Sequence, residues 1–157
     1  MNQPDIQLVI PDDMGIVREM YTEYQDFLGE DLCFQDFEAE LDGLPGKYAR
    51  PGGIILLALV NEAVADCVAL RPLGEGVCEM KRMYVREDYR GLGLGRRLAE
   101  AVIRTAEQAG HRCMRLDTLE RLDAAIALYD KLGFVRRDAY TFNPLSGVTF
   151  WEKDLEG

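Results

Sequence analysis

The sequence predicts an α/β domain of the α+β kind, built on a sheet of about seven strands. Three observations predict it. Short apolar runs such as Ile54 to Val60 recur along the chain with turn residues between them. Apolar stripes at three- and four-residue spacing stand between those runs and read as amphipathic helices. Three of the strand-like runs follow one another with only tight turns between them, which predicts an antiparallel meander before the longest helix.

In chain order, Ile6 to Ile10 reads as a short strand, and Asp12-Asp13 offers a carboxylate that can accept backbone N–H bonds at a helix start. Val17, Met20, Tyr21, Tyr24 and Leu28 share one face of the helix that follows. Phe34, Phe37 and Leu41 predict a second, short helix, and Gly43 to Gly53 is rich enough in Gly and Pro to predict a loop. Ile54 to Val60, Ala63 to Leu70 and Val77 to Val85 are the three consecutive strands, with Asn61-Glu62 and Gly74-Glu75-Gly76 as turns. Leu94, Leu98, Ala101, Val102, Thr105 and Ala109 form a helical stripe that Gly110 closes. His111 to Leu119 predicts a strand, Ala125, Leu128, Tyr129 and Leu132 a helix face, and Phe134 to Tyr140 and Val148 to Leu155 the last two strands.

The chain of 157 residues is the size of a single ordinary domain, expected over 1–157, with 48% apolar residues to build a core. No apolar run approaches the roughly 20 residues of a membrane helix, and the first residues lack the pattern of a signal peptide, so a cytoplasmic protein is expected. The cysteines Cys33, Cys67, Cys78 and Cys113 form no CxxC pair, which predicts buried free thiols and no metal site. With 18 basic against 28 acidic side chains the net charge is −10, which argues against nucleic acid and anionic membrane as partners. A homodimer is left open.

Against that acidic background, Lys81 to Arg97 carries six basic and two acidic residues. At its centre is Arg90-Gly91-Leu92-Gly93-Leu94-Gly95-Arg96, between a predicted strand and a predicted helix. The Gly-Lys-Ser/Thr ending of a Walker A loop is absent, and a GxGxxG fingerprint would need glycine where Arg96 or Leu98 stands. Physically, a glycine loop opening a helix presents backbone N–H groups at the positive end of the helix dipole, and missing Cβ atoms allow close approach. Flanking arginines add charge-assisted bonds to phosphate oxygens. A glycine turn without a ligand is the competing reading.

This run resembles the Arg/Gln-x-x-Gly-x-Gly/Ala signature of the GCN5-related N-acetyltransferase (GNAT) superfamily, and Ala124 to Phe134, "AAIALYDKLGF", is similar to its second motif, A-x-x-L-Y-x-x-x-G-F. "LPGKYARPGG", "EMKRMYV", "RLDTL" and "FWEKDL" extend the likeness, which is to one bacterial branch, over most of the chain. Leu122 departs from it, standing where many members have an asparagine that contacts the cofactor. The resemblance implies the GNAT fold, a mixed, mostly antiparallel sheet with helices on both faces. Its fourth and fifth strands splay apart to admit the pantetheine arm of acetyl-coenzyme A. Residue parity hints at the same place. Cys78 and Met80 share one side of the pleat and Met83 and Val85 the other, a phase slip that an extra bulge residue produces, although Tyr84 keeps the first parity.

For the roles, the resemblance implies that amides of Met83, Tyr84 and Val85 hold the pantetheine and polarise the thioester carbonyl. Arg90, Gly91, Leu92, Gly93, Leu94, Gly95 and Arg96 are expected to bind the pyrophosphate. Tyr129 is expected to donate to the departing thiolate. Taken alone, a tyrosine at helical spacing reads as core. An amine must lose a proton to attack, and Glu79, on the fourth strand, is the candidate base, with Asp117 second and a water relay as the alternative. Equally, Glu79 reads as a polar residue on a solvent face. His111 reads as a surface turn residue. The resemblance implies an acceptor pocket around Tyr21, Tyr24, Gly29 to Phe34 and Tyr140 to Ser146, where aromatic and acidic groups suit a small cationic amine and suit a hydrophobic core equally well. The expected activity is acetyl-coenzyme A-dependent N-acetylation of a small-molecule amine, with an acyl-coenzyme A-sensing domain on the same fold as the alternative.

Overall fold

The computed structural model describes residues 3–33 and 36–156. Phe34, expected on the second helix and in the acceptor loop, lies outside the described residues. Strand β1 (Ile6–Val9) precedes helices α1 (Met14–Leu28) and α2 (Phe37–Asp42), and β2 (Ile54–Val60), β3 (Ala63–Gly74) and β4 (Val77–Val85) form the meander. Helix α3 (Leu94–Gln108), β5 (Cys113–Leu119), α4 (Asp123–Lys131), β6 (Val135–Arg137) and β7 (Val148–Asp154) follow. They build a seven-stranded sheet in the order β1-β2-β3-β4-β5-β7-β6. Every neighbouring pair is antiparallel except β4 and β5.

Local chemistry explains most boundaries. The Asp13 carboxylate accepts the Gly15 N–H at 2.7 Å and starts α1, and Gly29, at φ +68°, ends it. Asn61 (φ +48°) and Glu62 (φ +72°) give the doubly left-handed turn that a two-residue hairpin needs. Two strands differ from expectation by more than two residues at one end. β3 runs four residues further, to Gly74, because Arg71 and Pro72 still pair with Glu79 and Cys78 before the chain turns. β6 stops at Arg137 rather than Tyr140, because Tyr140 turns inward to bond Glu79 instead of continuing an edge strand. Of the four thiols, only Cys67 and Cys78 are buried; Cys113 is half-buried and Cys33 exposed.

Two apolar layers sandwich the sheet. Because side chains alternate along a strand, Ile54, Leu56, Ala58 and Val60 of β2 face Leu94, Leu98, Val102 and Tyr129 of α3 and α4, whereas Ile55 and Leu57 face Val17, Met20 and Tyr21 of α1 and Phe37 of α2. Helices therefore cover both faces. Ion pairs hold the second layer down: Arg86 at the end of β4 grips Glu23 of α1 through two bonds of 2.9 and 2.6 Å, and Arg82 grips Glu40 of α2 through two of 2.9 Å.

The feature that matters most lies between β4 and β5. Their ladder comprises only Val77, Cys78 and Glu79 against Cys113, Met114 and Arg115. Beyond it β5 keeps β7 as its partner through Leu119 and β4 keeps β3, so the two strands diverge. β4 also carries a bulge. Between the pairs Ala69↔Lys81 and Cys67↔Tyr84 it spends one residue more than β3, and Arg82 takes φ +60° to absorb it. The extra residue keeps Met83 and Val85 on the α3 face with Cys78 and Met80, and sends Tyr84 to the α1 face. Tyr84, whose parity argued against the slip, is therefore where a bulge puts it.

Candidate active site

The divergence opens a cleft of about 540 Å³ through the sheet. Its floor is the freed edge of β4 from Met80 to Val85, and Asp117, Thr118 and Leu119 of β5 stand across from it. One end is the loop from Arg90 to Arg96 with the start of α3. A backbone edge freed of its ladder presents N–H and C=O groups to whatever enters, which suits an amide-bearing, extended ligand.

The glycine loop is shaped by its conformation. Gly91 and Gly93 adopt φ +90° and +75°, the left-handed region that side chains avoid, and a Cβ built at either position meets nothing within 4 Å. That is open space at the N-terminus of a 15-residue helix, where the first-turn N–H groups lack intrahelical acceptors. Gly95 sits inside the first turn, where an added Cβ would touch Leu128 and Val85 at 3.6 and 3.9 Å, so its absence keeps the cleft wide between them. Leu94 is buried and anchors the helix in the core. Leu92 is exposed and lies outside the cleft lining. Arg96 is exposed and pairs with Glu100 at 3.4 Å.

Arg90 shows a feature that no motif carries. Its Nε donates to the Val85 carbonyl at 3.2 Å and its guanidinium lies 4.7 Å from the Phe27 ring centroid. Phe27 in turn packs against Tyr84 at 5.6 Å, and Tyr24 against Tyr84 at 6.2 Å. These aromatic groups form a wall that α1 contributes to the cleft. Of the expected acceptor residues, Tyr24, Leu32, Asn143 and Leu145 line the cleft, but Tyr21 is fully buried and packs edge-on against Tyr48 in the core. Its helical position allowed either place; packing against Tyr48 decides for the interior.

Tyr129 lines the cleft and is also core, with its ring edge-on to Phe134 at 5.8 Å. Burial, with smaller contributions from Tyr24, Asp66 and Asp117, pushes its phenol well above the usual range. The hydroxyl thus stays protonated at neutral pH and can act as a donor. At Leu122, the departure noted above, the side chain lines the cleft and supplies no hydrogen bond to the start of α4.

Glu79 occupies a different position from Tyr129. It is 1% exposed, accepts from Arg71 Nε at 2.8 Å and from the Tyr140 hydroxyl at 2.5 Å, and lines a second, smaller cavity of about 220 Å³ instead of the main cleft. Burial and the charge of Glu79 push the Tyr140 phenol upward, so it remains a donor. Two residues line both cavities: Lys81 and Asp117. Asp117 accepts from Asn143 at 3.1 Å, and burial, aided by Arg82, pulls Lys81 down to about 8. Sequence reasoning counted Lys81 only as charge and missed Arg71 and Phe27, whereas Asn143 lies within the expected stretch Tyr140 to Ser146. His111 contacts the Gly52 carbonyl at 2.9 Å and lines neither cavity. Among the described residues, no group of three or more His, Cys, Asp or Glu is arranged to hold a metal ion. No helix among them is long and apolar enough to cross a membrane.

Known proteins resemble this chain in sequence and in fold. A sequence model of the acetyltransferase (GNAT) family matches residues 16–134. An uncharacterized N-acetyltransferase of Schizosaccharomyces pombe is 38% identical over 148 residues, covering 93% of this chain and 91% of the relative. An acetyltransferase of the GNAT family from Staphylococcus aureus superposes with a TM-score of 0.80 at 21% identity, over 96% of this chain and 99% of that one. A Salmonella typhimurium structure holding its cofactor acetyl-CoA superposes with a TM-score of 0.68 at 21% identity, over 96% and 94%.

Proposed function

Because the chain belongs to the acetyltransferase (GNAT) family, we propose that it transfers an acetyl group from acetyl-coenzyme A to the primary amine of a small molecule, by direct attack within a ternary complex. The observation that carries this reading is the cleft between the diverging β4 and β5, with an open glycine cradle at one end and a protonated tyrosine in its wall. The empty space over Gly91 and Gly93 fits a pyrophosphate, and the freed β4 edge fits a pantetheine arm. Acetyl-coenzyme A bound there supplies an activated acyl group.

The chain's own residues then have separable tasks. N–H groups from Gly91 to Arg96 and the Arg90 guanidinium would bind phosphate oxygens. Backbone amides of Met83 to Val85 orient the acyl end and polarise its carbonyl. Asp117, at the junction of the two cavities, accepts a proton from the incoming ammonium, directly or through water. Glu79, engaged by Arg71 and Tyr140, shapes the acceptor side and is the second carboxylate to test. The C–N bond would form as the C–S bond breaks, Tyr129 would donate a proton to the sulfur and regain one from the proton the nitrogen loses as the amide forms, so that the balance from the ammonium is one amide, one thiol and one proton passed by Asp117 to solvent.

Coenzyme A release from acetyl-coenzyme A, measured with a thiol reagent across a panel of small amines, tests the reading. Release that depends on an amine supports it. Binding of acetyl-coenzyme A without turnover on any small amine or peptide overturns it in favour of a sensing domain.

A further inference from the structure

Two side chains of one loop hold the two carboxylates of the acceptor side. In the connection between β6 and β7, the Tyr140 hydroxyl donates to Glu79 of β4 at 2.5 Å, and three residues later the Asn143 amide donates through Nδ2 to Oδ2 of Asp117 on β5 at 3.1 Å. The two are held differently. Glu79 is buried, and the Arg71 guanidinium at 2.8 Å also compensates its charge. Asp117 is half-buried, lines both cavities and receives from Asn143 a donor that carries no charge. A carboxylate paired with a guanidinium is a poor proton acceptor, whereas one held by an amide keeps its negative charge uncompensated by that partner.

The orientation of the Asn143 amide is fixed from its other end. Its Oδ1 accepts the Leu145 N–H at 3.0 Å, two residues on, which closes an Asx turn. Pro144 between them has a ring-locked φ and restricts the Asn143 backbone as well. Rotating the amide by half a turn would set its oxygen against the Asp117 carboxylate and its NH2 against an N–H donor, losing both bonds. The donor is therefore aimed at Asp117 before any acceptor arrives. A bond to one carboxylate oxygen restrains the rotation of the group, and with it the direction of the second oxygen.

We propose that Asn143 is a positioning residue for proton transfer: it holds one oxygen of Asp117 and so presents the other to an amine lying between the two cavities. The inference rests on the transferase reading above, with Asp117 as proton acceptor. In the reaction the acceptor ammonium passes a proton to the Asp117 carboxylate, which hands it to solvent, and the Asn143 amide keeps its own protons throughout. Other groups act on the same carboxylate. Lys81 of β4, Tyr24 of α1, Tyr129 of α4 and Tyr140 interact electrostatically with Asp117. Across the smaller cavity it faces Arg71, Glu79, and Glu40 and Asp36 from the α2 end. A substitution at Asn143 leaves all of them in place, so its effect reports the amide.

The decisive variant is Asn143→Asp, which keeps an oxygen for the Leu145 N–H but replaces the donor by a second carboxylate beside Asp117. Thermal melting should change little. With an accepted amine at saturation, kcat near pH 7 should fall about 10-fold or more and recover at higher pH, because the acidic limb of its profile moves up by about one unit or more. In the Asp117→Asn background the same substitution should cost nothing further. A residue that merely closes the turn leaves the profile of Asn143→Asp at wild type, and that result overturns the inference while the transferase reading stands. So does an equal loss in the Asp117→Asn background. Should Asn143→Asp fail to fold, NMR of protein labelled with carboxyl-13C aspartate decides, the Asp117 resonance being the one missing from Asp117→Asn. Its titration midpoint should rise by about half a unit or more in Asn143→Ala, and an unmoved midpoint overturns the inference. Absence of amine-dependent coenzyme A release from the natural protein overturns the transferase reading, and this inference with it.

Discussion

Lys81 on β4 and Asp117 on β5 stand across the opening of the sheet, two residues past the last paired residues Glu79 and Arg115, and each lines both the cleft and the smaller cavity. Any acceptor that reaches the acyl group from the smaller cavity passes between an ammonium and a carboxylate. Asp117→Asn should therefore lower kcat by roughly 10- to 1,000-fold, the range in which general bases act, with acetyl-coenzyme A affinity little changed. Glu79→Gln, which also disturbs the contacts with Arg71 and Tyr140, should lower the melting temperature as well as turnover. Comparing kcat, affinity and melting for the two variants assigns the roles; a wild-type pH profile in Asp117→Asn would return the proton to Glu79 or solvent.

Tyr129→Phe keeps the ring that packs on Phe134 and removes only the hydroxyl. Turnover should fall about 10-fold or more, equivalent to roughly 1.4 kcal/mol of transition-state stabilisation, while acetyl-coenzyme A affinity and melting change little. Unchanged turnover under conditions where chemistry limits the rate would reduce Tyr129 to a core residue.

Gly93→Val places a branched side chain in the open space over the loop and at φ +75°. The expected result is a folded protein, destabilised by about 1 to 2 kcal/mol through backbone strain, whose acetyl-coenzyme A affinity drops at least about 10-fold. Calorimetry and melting on the same sample check both.

Asp66 on β3 is fully buried, and burial, opposed only in part by the neighbouring Cys67 backbone, raises its carboxyl well above the ordinary value. A carboxyl with a raised folded-state value binds its proton more tightly in the folded protein than in the unfolded chain. Stability should therefore fall as pH rises above the unfolded value of about 3.9. Asp66→Asn removes the titration. The melting temperature of the variant relative to the natural protein should increase as pH rises from about 4 towards the raised folded-state value; a constant difference over about pH 4 to 8 would mean that Asp66 is not the titrating group.

Arg82 is 3% exposed and holds Glu40 through two bonds of 2.9 Å, with its guanidinium 5.1 Å from the Phe37 ring centroid. Glu40→Ala leaves a buried cation without its partner. A loss of about 3 to 5 kcal/mol in denaturant unfolding is expected. A loss below about 1 kcal/mol would mean that water or another carboxylate satisfies Arg82.

Much of this protein is decided by short-range chemistry and so is legible in its residues. Alternation and helical spacing define β2, α1 and α3; Gly91 and Gly93 mark the open, left-handed loop before α3; Asp13 and Gly29 bracket a helix; the parity change after Met80 marks the bulge. Each of these depends on neighbours a few residues away. The acceptor side depends on something else. Arg71 meets Glu79 because the β3–β4 hairpin extends beyond its apolar run, and Tyr140 reaches Glu79, 61 positions earlier in the chain, because the sheet order brings the β6–β7 connection beside β4. Lys81 faces Asp117 because one parallel ladder stops after Glu79 and Arg115. Tyr21 and Tyr24, three residues apart on one helix, part company, one into the core and one into the cleft. Periodicity reports which face of an element is apolar, but only the packing of distant elements determines which charged and aromatic groups share a cavity.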